Sequence, residues 1–464
     1  MEFDVVYEFL MSHLTLKWKI LSVSIQKLIK MVKLCTNFRE ILKDYCLNSS
    51  LAGLSYIVDR RYHFTERLFW LGCVILSWIG SIHLILDFMD SYYNNSVSMG
   101  VVSLRPFDEV NFPSAGICEM GYTKEEYREL EKVVNEMVFK LPDGESVEYN
   151  YDVEDFLMRV IFHNLYNFGS MTSYCAPYQD CDDCIKCPTN GYQAFADRVR
   201  ANCTALFDKC SWNEIEFDCC HYFKPVRTTL GTCFLLNSIQ AVKKYGPSWL
   251  EMKVGMKHGN GNLQVSVTKS SALYILNEED IPHMLLTTLM FQQIPDGFDG
   301  DLSLSIQDTT NDKNVRGIEP ELRRCIFPDE PNDMSYRAYS YSTCVTECLK
   351  KAQIRICNCT HYNMIVNSDD KSPECDFEGL TCLDRNNLMF PQTTIMQPWR
   401  SDGLVCTCLP SCNEPQINVV GRSSKIRENT NLRRVSIKLQ QEPSQRYFRQ
   451  AVREEIDIVG ELKL

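Results

Sequence analysis

The chain has 464 residues, with 48 basic and 60 acidic side chains, a formal net charge of −12 at pH 7 and 45% hydrophobic residues. This length exceeds what one compact core requires, so two or more modules are expected. The acidic balance argues against a nucleic-acid-binding protein, because phosphate backbones are held by basic surfaces.

A membrane segment is predicted near the N-terminus. The first residues carry Glu2, Asp4 and Glu8 where a secretory signal would have basic residues. The uncharged 19-residue stretch 68-LFWLGCVILSWIGSIHLIL-86 comes later. At about 1.5 Å per residue it nearly spans a hydrocarbon core of about 30 Å. It therefore predicts a transmembrane helix over residues 68–86, with a buried soluble helix as the alternative.

The flanking charges orient this helix. Three arginines precede it and two aspartates follow it: Arg60, Arg61, Arg67, Asp87 and Asp90. Residues 1–67 carry 10 basic and 7 acidic side chains, whereas residues 87–464 carry 38 and 53. Because basic residues stay on the cytoplasmic side, residues 1–67 are predicted to be cytoplasmic and residues 87–464 extracellular.

The predicted extracellular region mixes strands and helices. Alternating and β-branched residues predict strands in 101–120 and 262–308, and 258-HGNGN-262 reads as a turn. Helical periodicity is found at 123–140, 152–168 and 334–352. Thr123 and Glu126 have capping-box spacing. Residues 175–233 are dense in cysteines and read as irregular. The region is therefore predicted to be an α+β domain.

The cysteines indicate an oxidising compartment. Of 23 in total, 20 lie at or after Cys118, an even number compatible with up to ten disulfides. Zinc is the alternative, but only Cys181, Cys184 and Cys187 have ligand-like spacing and no histidine pair follows them. The neighbouring aspartates make a calcium contact a further alternative. An acidic loop closed by disulfides is the simpler interpretation. No metal and no cofactor are expected.

The glycosylation sequons and the acidic clusters are less specific signals of function. Asn-x-Ser/Thr sequons on the predicted outer side occur at Asn94, Asn202 and Asn358, and the last two have a cysteine in the middle position. Another at Asn48 falls on the predicted inner side, where it would be inert. The acidic clusters 278-EED-280 and 326-IFPDEPND-333 suit protons or calcium, although solvated surface is the commoner explanation.

An ordered set of motifs resembles the degenerin/epithelial sodium channel family, and within it the arthropod pickpocket branch. The blocks keep the family's order over roughly residues 35–457. They are 46-CLNSSLAGL-54, 112-FPSAGIC-118, 210-CSWNEIEFDCCHYFKPVRTTLGTCFLLN-237, 323-RRCIFPDE-330, 341-YSTCVTECL-349, 357-CNC-359 and 406-CTCLPSC-412.

The resemblance implies a hand-like extracellular domain with a β palm, helical finger and helical thumb, the thumb covering about 325–412. It also implies specific disulfides: Cys325–Cys412, Cys344–Cys408, Cys348–Cys406, Cys357–Cys382, Cys359–Cys375 and Cys118–Cys233, with Cys210 bonded to Cys219 or Cys220. Cross-links of this kind contribute about 2–4 kcal/mol each. They are structural and perform no chemistry.

Two features depart from the family. Its cytoplasmic stretch usually has a His-Gly pair that influences gating, whereas this chain has Ala52 before Gly53. Gly53 is the implied gating residue, and an ordinary turn glycine is the alternative. The family's second membrane helix, with its narrow filter, is expected where 446–464 runs, but no apolar span follows Cys412. The chain is therefore expected to be truncated before that helix.

The resemblance implies a subunit of a homo- or heterotrimeric, amiloride-sensitive sodium channel that is integral to the plasma membrane and gated by a ligand or by force. Its partners would be other channel subunits, the lipid bilayer and permeating sodium ions. Without the second helix the chain is not expected to conduct alone, so it would be a regulatory or incomplete form. The alternative is a single-span type II receptor or adhesion ectodomain. An enzyme is not expected, because no H-E-x-x-H, G-x-S-x-G or dinucleotide motif is present.

Overall fold

A computed structural model describes most of the chain. The described residues are 40–49, 51, 53–103, 109–121, 124–138, 140, 151–162, 172–173, 175, 186–255, 257–283, 291–331, 333–366, 369–386, 406–427, 433–440 and 445–452. The chain divides into two compact units, Met1–Asn94 and Asn95–Leu464.

Several sequence expectations fall outside the described residues. They concern Ala52, Thr123, residues 163–168, Cys181, Cys184, residues 284–290 and residues 453–464.

The first unit contains a long apolar helix preceded by a short one. Residues 40–48 are helical, α1 spans Leu54–Val58 and α2 spans Phe64–Asn94. Within the described part of the chain, α2 is the one helix long and apolar enough to cross a membrane. The apolar run at residues 68–86 lies inside it. The helix extends further at both ends because no proline or glycine interrupts the flanking residues.

Fifteen strands belong to the described part of the second unit. They are β1 Val97–Ser103, β2 Val110–Asn111, β3 Ser114–Glu119, β4 Phe207–Trp212, β5 Ile215–Phe217, β6 Phe223–Thr228, β7 Gly231–Leu236, β8 Lys253–Val254, β9 Asn262–Val267, β10 Ser271–Leu276, β11 Phe291–Ile294, β12 Phe298–Asn311, β13 Gln416–Ile426, β14 Arg434–Leu439 and β15 Gln445–Ala451.

These strands form two main sheets. The larger has the order β1-β15-β12-β14-β9-β4-β5, with β13 also paired to β12, and the smaller has the order β11-β10-β3-β7-β6. Strands β2 and β8 form a separate pair. Along β12, buried residues alternate with less buried ones, as expected for a strand with one face on a core. One core joins residues from both sheets, including Ile117, Leu273, Val265 and Leu304.

The described part of the second unit has eight α-helices, and five of them contribute to a second core. Their bounds are α3 Lys124–Met137, α4 Tyr151–Ile161, α5 Tyr192–Val199, α6 Cys203–Leu206, α7 Cys219–Tyr222, α8 Pro320–Arg323, α9 Tyr341–Cys357 and α10 Phe377–Arg385. Short 3₁₀ helices span Lys313–Gly317 and Tyr362–Met364. Leu130, Phe156 and Tyr192 of α3 to α5 pack in the same buried cluster as Ala352 of α9 and Leu380 of α10. The mixed α+β character predicted from the sequence is thus confirmed.

The helix predicted at 334–352 is shifted along the chain. In the structure α9 begins at Tyr341 and ends at Cys357. Ser340 caps it, because its hydroxyl accepts from the Thr343 backbone while the Thr343 hydroxyl accepts from the Ser340 backbone. A capping box with threonine instead of glutamate at the third helical position is harder to recognise in a sequence.

The prediction that 175–233 is irregular is wrong for its later part. Residues 207–236 contain four strands, β4 to β7. Closely spaced cysteines interrupt the alternation of apolar residues there. The Cys210–Cys219 and Cys203–Cys220 bonds tie these short elements together.

Candidate functional site: a glycine turn and a cross-linked helix

Gly53 occupies a position that only glycine fits well. It precedes α1 with φ of 96°, in the left-handed region. A Cβ added there would lie 3.0 Å from Cγ2 of Val74 and 3.5 Å from Cε3 of Trp70. Any side chain would therefore meet both backbone strain and crowding. This requirement is independent of the missing histidine.

Two further contacts hold the Gly53 turn against α2. The Nε of Arg67 donates a hydrogen bond of 2.7 Å to the carbonyl oxygen of Ile57. The rings of Tyr56 and Trp70 are stacked, with centroids 4.7 Å apart and planes at 20°. The turn and α1 therefore pack against the first three turns of the candidate membrane helix.

The second unit is cross-linked throughout its described part. The structure joins Cys118 to Cys233, Cys175 to Cys187, Cys203 to Cys220, Cys210 to Cys219, Cys325 to Cys412, Cys344 to Cys408, Cys348 to Cys406, Cys357 to Cys382 and Cys359 to Cys375. Of the two partners left open for Cys210, it bonds Cys219. Cys187 is bonded to Cys175 and is not a thiolate ligand. Cys46 and Cys73, in the first unit, are free.

The bonds on α9 form a ladder. Cys344 and Cys348 lie one turn apart on the helix and bond Cys408 and Cys406, which are two residues apart on the returning segment. The order is inverted, so the segment 406–412 runs antiparallel to the helix. The Cys325–Cys412 bond closes the same loop at its base. The two sides of the loop are thus joined covalently at successive levels.

Three segments meet at the start of α9. The Ser342 hydroxyl donates to Oδ1 of Asp280 over 2.8 Å, and the Ser411 hydroxyl donates to Oε1 of Glu279. Nε2 of Gln240 donates to the carbonyl oxygens of Glu279 and Ala338 over 2.7 and 2.9 Å. We call this group of residues the α9 joint. It links the end of β10, the helix start and the returning segment by side-chain hydrogen bonds.

The carboxyl groups of the α9 joint are buried. Glu279 is 3% exposed, so the reading of 278-EED-280 as solvated surface is wrong for its middle residue. Burial raises the pKa of Glu279 to about 8, and repulsion from Asp280 adds to the effect. Burial also raises the pKa of Asp280, opposed by the hydrogen bond from Ser342. Glu279 is therefore protonated near neutral pH and ionises in mildly alkaline solution.

A cavity of about 390 Å³ lies next to the joint. Three ion pairs involve its lining residues: Lys244 with Glu278, Arg316 with Asp329, and Asp308 with Arg446. Glu279 also lines it and accepts a hydrogen bond from Ser411. In the described residues no group of three or more His, Cys, Asp or Glu side chains is placed to hold a metal ion. The cavity therefore offers a small molecule no unbalanced charge from these pairs.

The asparagines of the sequons at Asn94, Asn202 and Asn358 are exposed. Asn94 is the last residue of α2, and its amide donates to Asp90 over 2.8 Å. Asn202 caps α6, because its side-chain carbonyl oxygen accepts a hydrogen bond of 2.9 Å from the Ala205 backbone N–H. Asn358 ends α9 with φ of 59°. The middle residues Cys203 and Cys359 are both disulfide-bonded.

Sequence reasoning missed the contacts that define the α9 joint and the aromatic stack on α2. Glu279 and Ser411 are 132 residues apart, and no local pattern connects them. The stack had a local signal, because aromatic residues at Tyr56, Tyr62, Phe69 and Trp70 cluster around the arginines before the apolar run.

The fold and the site define a cysteine-rich protein with a candidate membrane helix. A model of the amiloride-sensitive sodium channel family matches residues 45–461, and the chain belongs to that family. Pickpocket protein 19 of Drosophila melanogaster is 20% identical over 81% of this chain and 76% of its own length. The sodium channel protein Nach is 21% identical in Drosophila ananassae, over 77% of this chain and 68% of its own length. In Drosophila melanogaster it is 22% identical, over 75% and 68%.

Membership confirms the resemblance seen in the motifs. The family is one of ion channels of the plasma membrane, so the chain is not an enzyme. It is a sodium channel subunit of the degenerin/epithelial sodium channel family, in its pickpocket branch.

Proposed function

We propose that the chain is a subunit of a homo- or heterotrimeric, amiloride-sensitive sodium channel that a ligand or force opens. The family match over residues 45–461 is the observation that carries this proposal. Sodium ions are the permeant species of the assembled channel. Other subunits and the lipid bilayer are the partners.

The proposed topology places residues 1–67 in the cytoplasm, a span at 68–86 and residues 87–464 outside the cell. The charge asymmetry across the apolar run supports this orientation. The disulfides of the second unit support an oxidising compartment for it. Asn94, Asn202 and Asn358 are the proposed glycosylation sites, since they lie exposed on the outer side of the proposed span.

The proposed role of each region of the chain follows from the contacts and disulfides that fix that region. We assign the two sheets to the palm, the α3–α5 cluster to the finger, and α9 with α10 and the returning segment to the thumb. A helix joined covalently at several levels moves as one piece, which suits a lever that transmits ligand binding or force. Gly53 acts in gating by permitting the tight turn against Val74 and Trp70.

A single-span type II receptor without channel activity is the second candidate. It is favoured by one observation, the single candidate span among the described residues. It predicts a self-contained ectodomain that does not join channel subunits.

The experiment is co-expression with a pickpocket-type channel subunit in oocytes. We expect the chain to co-purify with that subunit in a non-reducing, mild detergent, and to change the amiloride-sensitive sodium current at equal surface expression. A chain with Cys344→Ser and Cys348→Ser is the control for assembly that depends on the ladder. Normal surface delivery with no co-purification and no change in current would favour the receptor.

A further inference from the structure

An aromatic pocket lies beside the start of α2. It has a volume of about 320 Å³ and is lined by Tyr56, Tyr62, Thr65, Glu66, Phe69 and Trp70. All six residues belong to the first unit. We call this the aromatic pocket. The opening of this pocket is not needed for the disulfides or for the packing of the Gly53 turn.

The rings form two corners. Tyr56 and Tyr62 stand at 74° with centroids 5.2 Å apart, and Phe69 and Trp70 stand at 75° with centroids 5.9 Å apart. The stack of Tyr56 on Trp70 joins the two corners. Four aromatic residues therefore border one small volume, and clusters of rings of this kind recognise quaternary and primary ammonium groups.

The charge of the lining favours the same ligand. The one carboxylate in the lining belongs to Glu66, which lies one turn before Trp70 on the same helix face. Its Oε2 also accepts a hydrogen bond of 3.2 Å from the backbone N–H of His63. No basic side chain lines the pocket. A carboxylate and aromatic faces together attract a cation and repel an anion.

The surroundings supply the opposite charge. Arg60 and Arg61 are exposed just before α2, and the Arg61 side chain is 90% exposed, with Asp59 at 3.6 Å. Because Arg60 and Arg61 directly precede the lining residue Tyr62 in the chain, they are the basic residues proposed to meet a phosphate linked to an ammonium group in the aromatic pocket. This combination of a cation and a phosphate is the headgroup of a zwitterionic phospholipid.

The position in the chain also points to a lipid. The pocket lies immediately before and within the first residues of the apolar run of α2. Aromatic residues in membrane proteins concentrate at this headgroup level. We propose that the aromatic pocket binds the ammonium group of a zwitterionic phospholipid, choline or ethanolamine, at the inner membrane boundary. The inference rests on the proposed topology for the side of the membrane involved.

The test uses native mass spectrometry of the purified full chain in detergent. Phosphatidylcholine, phosphatidylethanolamine and phosphatidylglycerol with identical acyl chains are titrated separately. We expect the two zwitterionic lipids to bind about 5-fold more tightly than the anionic one, as one cation–π contact provides. Equal binding of all three, or preference for phosphatidylglycerol, would overturn the proposal.

Four variants assign the contact. Tyr56→Leu and Glu66→Gln should each weaken binding of the zwitterionic lipids, by about 5-fold for the headgroup that depends more on the altered side chain, and should leave phosphatidylglycerol unchanged. Tyr56→Phe keeps the ring and should bind normally, which separates the loss of a π face from misfolding. Tyr93→Leu, an exposed tyrosine at the other end of α2, is the matched control and should bind normally. Unchanged lipid binding by Tyr56→Leu would refute the pocket.

The two headgroups are distinguished by which variant weakens lipid binding more. Choline has no N–H and depends on the rings, so Tyr56→Leu should affect it more than Glu66→Gln. Ethanolamine donates hydrogen bonds, so Glu66→Gln should affect it more. The readout needs no partner subunit and no current. Failure of co-assembly would therefore count against the channel proposal, whereas loss of lipid selectivity would count against the pocket.

Discussion

The helix α9 is held to its neighbours by covalent bonds, whereas the turn at Gly53 is held to α2 by a close fit, a ring stack and a hydrogen bond from Arg67. The ladder fixes α9 until disulfides are reduced. The turn depends on contacts of about 1 kcal/mol each. The difference is consistent with the roles proposed above, in which α9 moves as a rigid piece and the Gly53 turn is the part that small changes in contacts can shift.

Removing the ladder should have the largest effect. One rung is Cys344–Cys408 and the other is Cys348–Cys406, and either alone still closes the loop. Replacing one rung by serines should lower the free energy of unfolding by about 2 kcal/mol, and replacing both by about 6 kcal/mol. Urea unfolding followed by protease susceptibility measures this. Additive losses, with the double variant at twice the single, would contradict the shared loop. Cys46→Ser is the control, because Cys46 is free.

The α9 joint gives the next effect, through pH. Glu279 has a pKa raised to about 8 by burial, against about 4.3 in an unfolded chain. Between these values the folded chain keeps a proton that the unfolded chain releases. The free energy of unfolding contributed by Glu279 is therefore full at low pH and falls as pH rises, by about 3 kcal/mol from about pH 5.5 to 8.

Glu279→Gln stays neutral and should lack this part of the pH dependence. The measurement is the urea midpoint of the chain and the variant at several pH values. Glu216→Gln, on exposed β5, is the matched control and should keep the parent dependence. Parallel curves for the chain and Glu279→Gln would show that Glu279 does not titrate with folding in this window.

A smaller effect is expected at the Gly53 turn. Gly53→Ala should destabilise the packed turn by about 1–2 kcal/mol, because of the positive φ and the contact with Val74. Hydrogen exchange of the α1 amides should then rise about 10-fold. Gly72→Ala, in α2 with no neighbour near its Cβ position, should leave α1 exchange unchanged. Equal effects of the two alanines would mean that the turn does not need glycine.

The cap of α9 should give the smallest effect. Ser340→Ala removes the hydroxyl that accepts from the Thr343 backbone N–H and should lower the free energy of unfolding by about 1 kcal/mol. Ser340→Asp should largely restore it, since aspartate also caps. A loss as large as that of a ladder rung would show that Ser340 supports the α9 joint and not only the helix start.

The sequence by itself determined the features that follow from local residue patterns and from the order of motifs along the chain. The apolar run of residues 68–86 lies inside a helix, and the ordered cysteine blocks belong to the family that they resemble. The strand at 262–267 follows from alternation. These features depend on neighbouring residues, or on motifs that retain their order, so they can be read along the chain.

Only the tertiary structure decided which residues meet. The burial of Glu279 against Ser411, the choice of Cys219 by Cys210, and the position of Gly53 against Val74 were not legible in the sequence. Each depends on a contact between elements whose relative placement no local period specifies. A carboxylate looks solvated until the segments that cover it are in place, because burial is a property of the folded chain and not of the residue type.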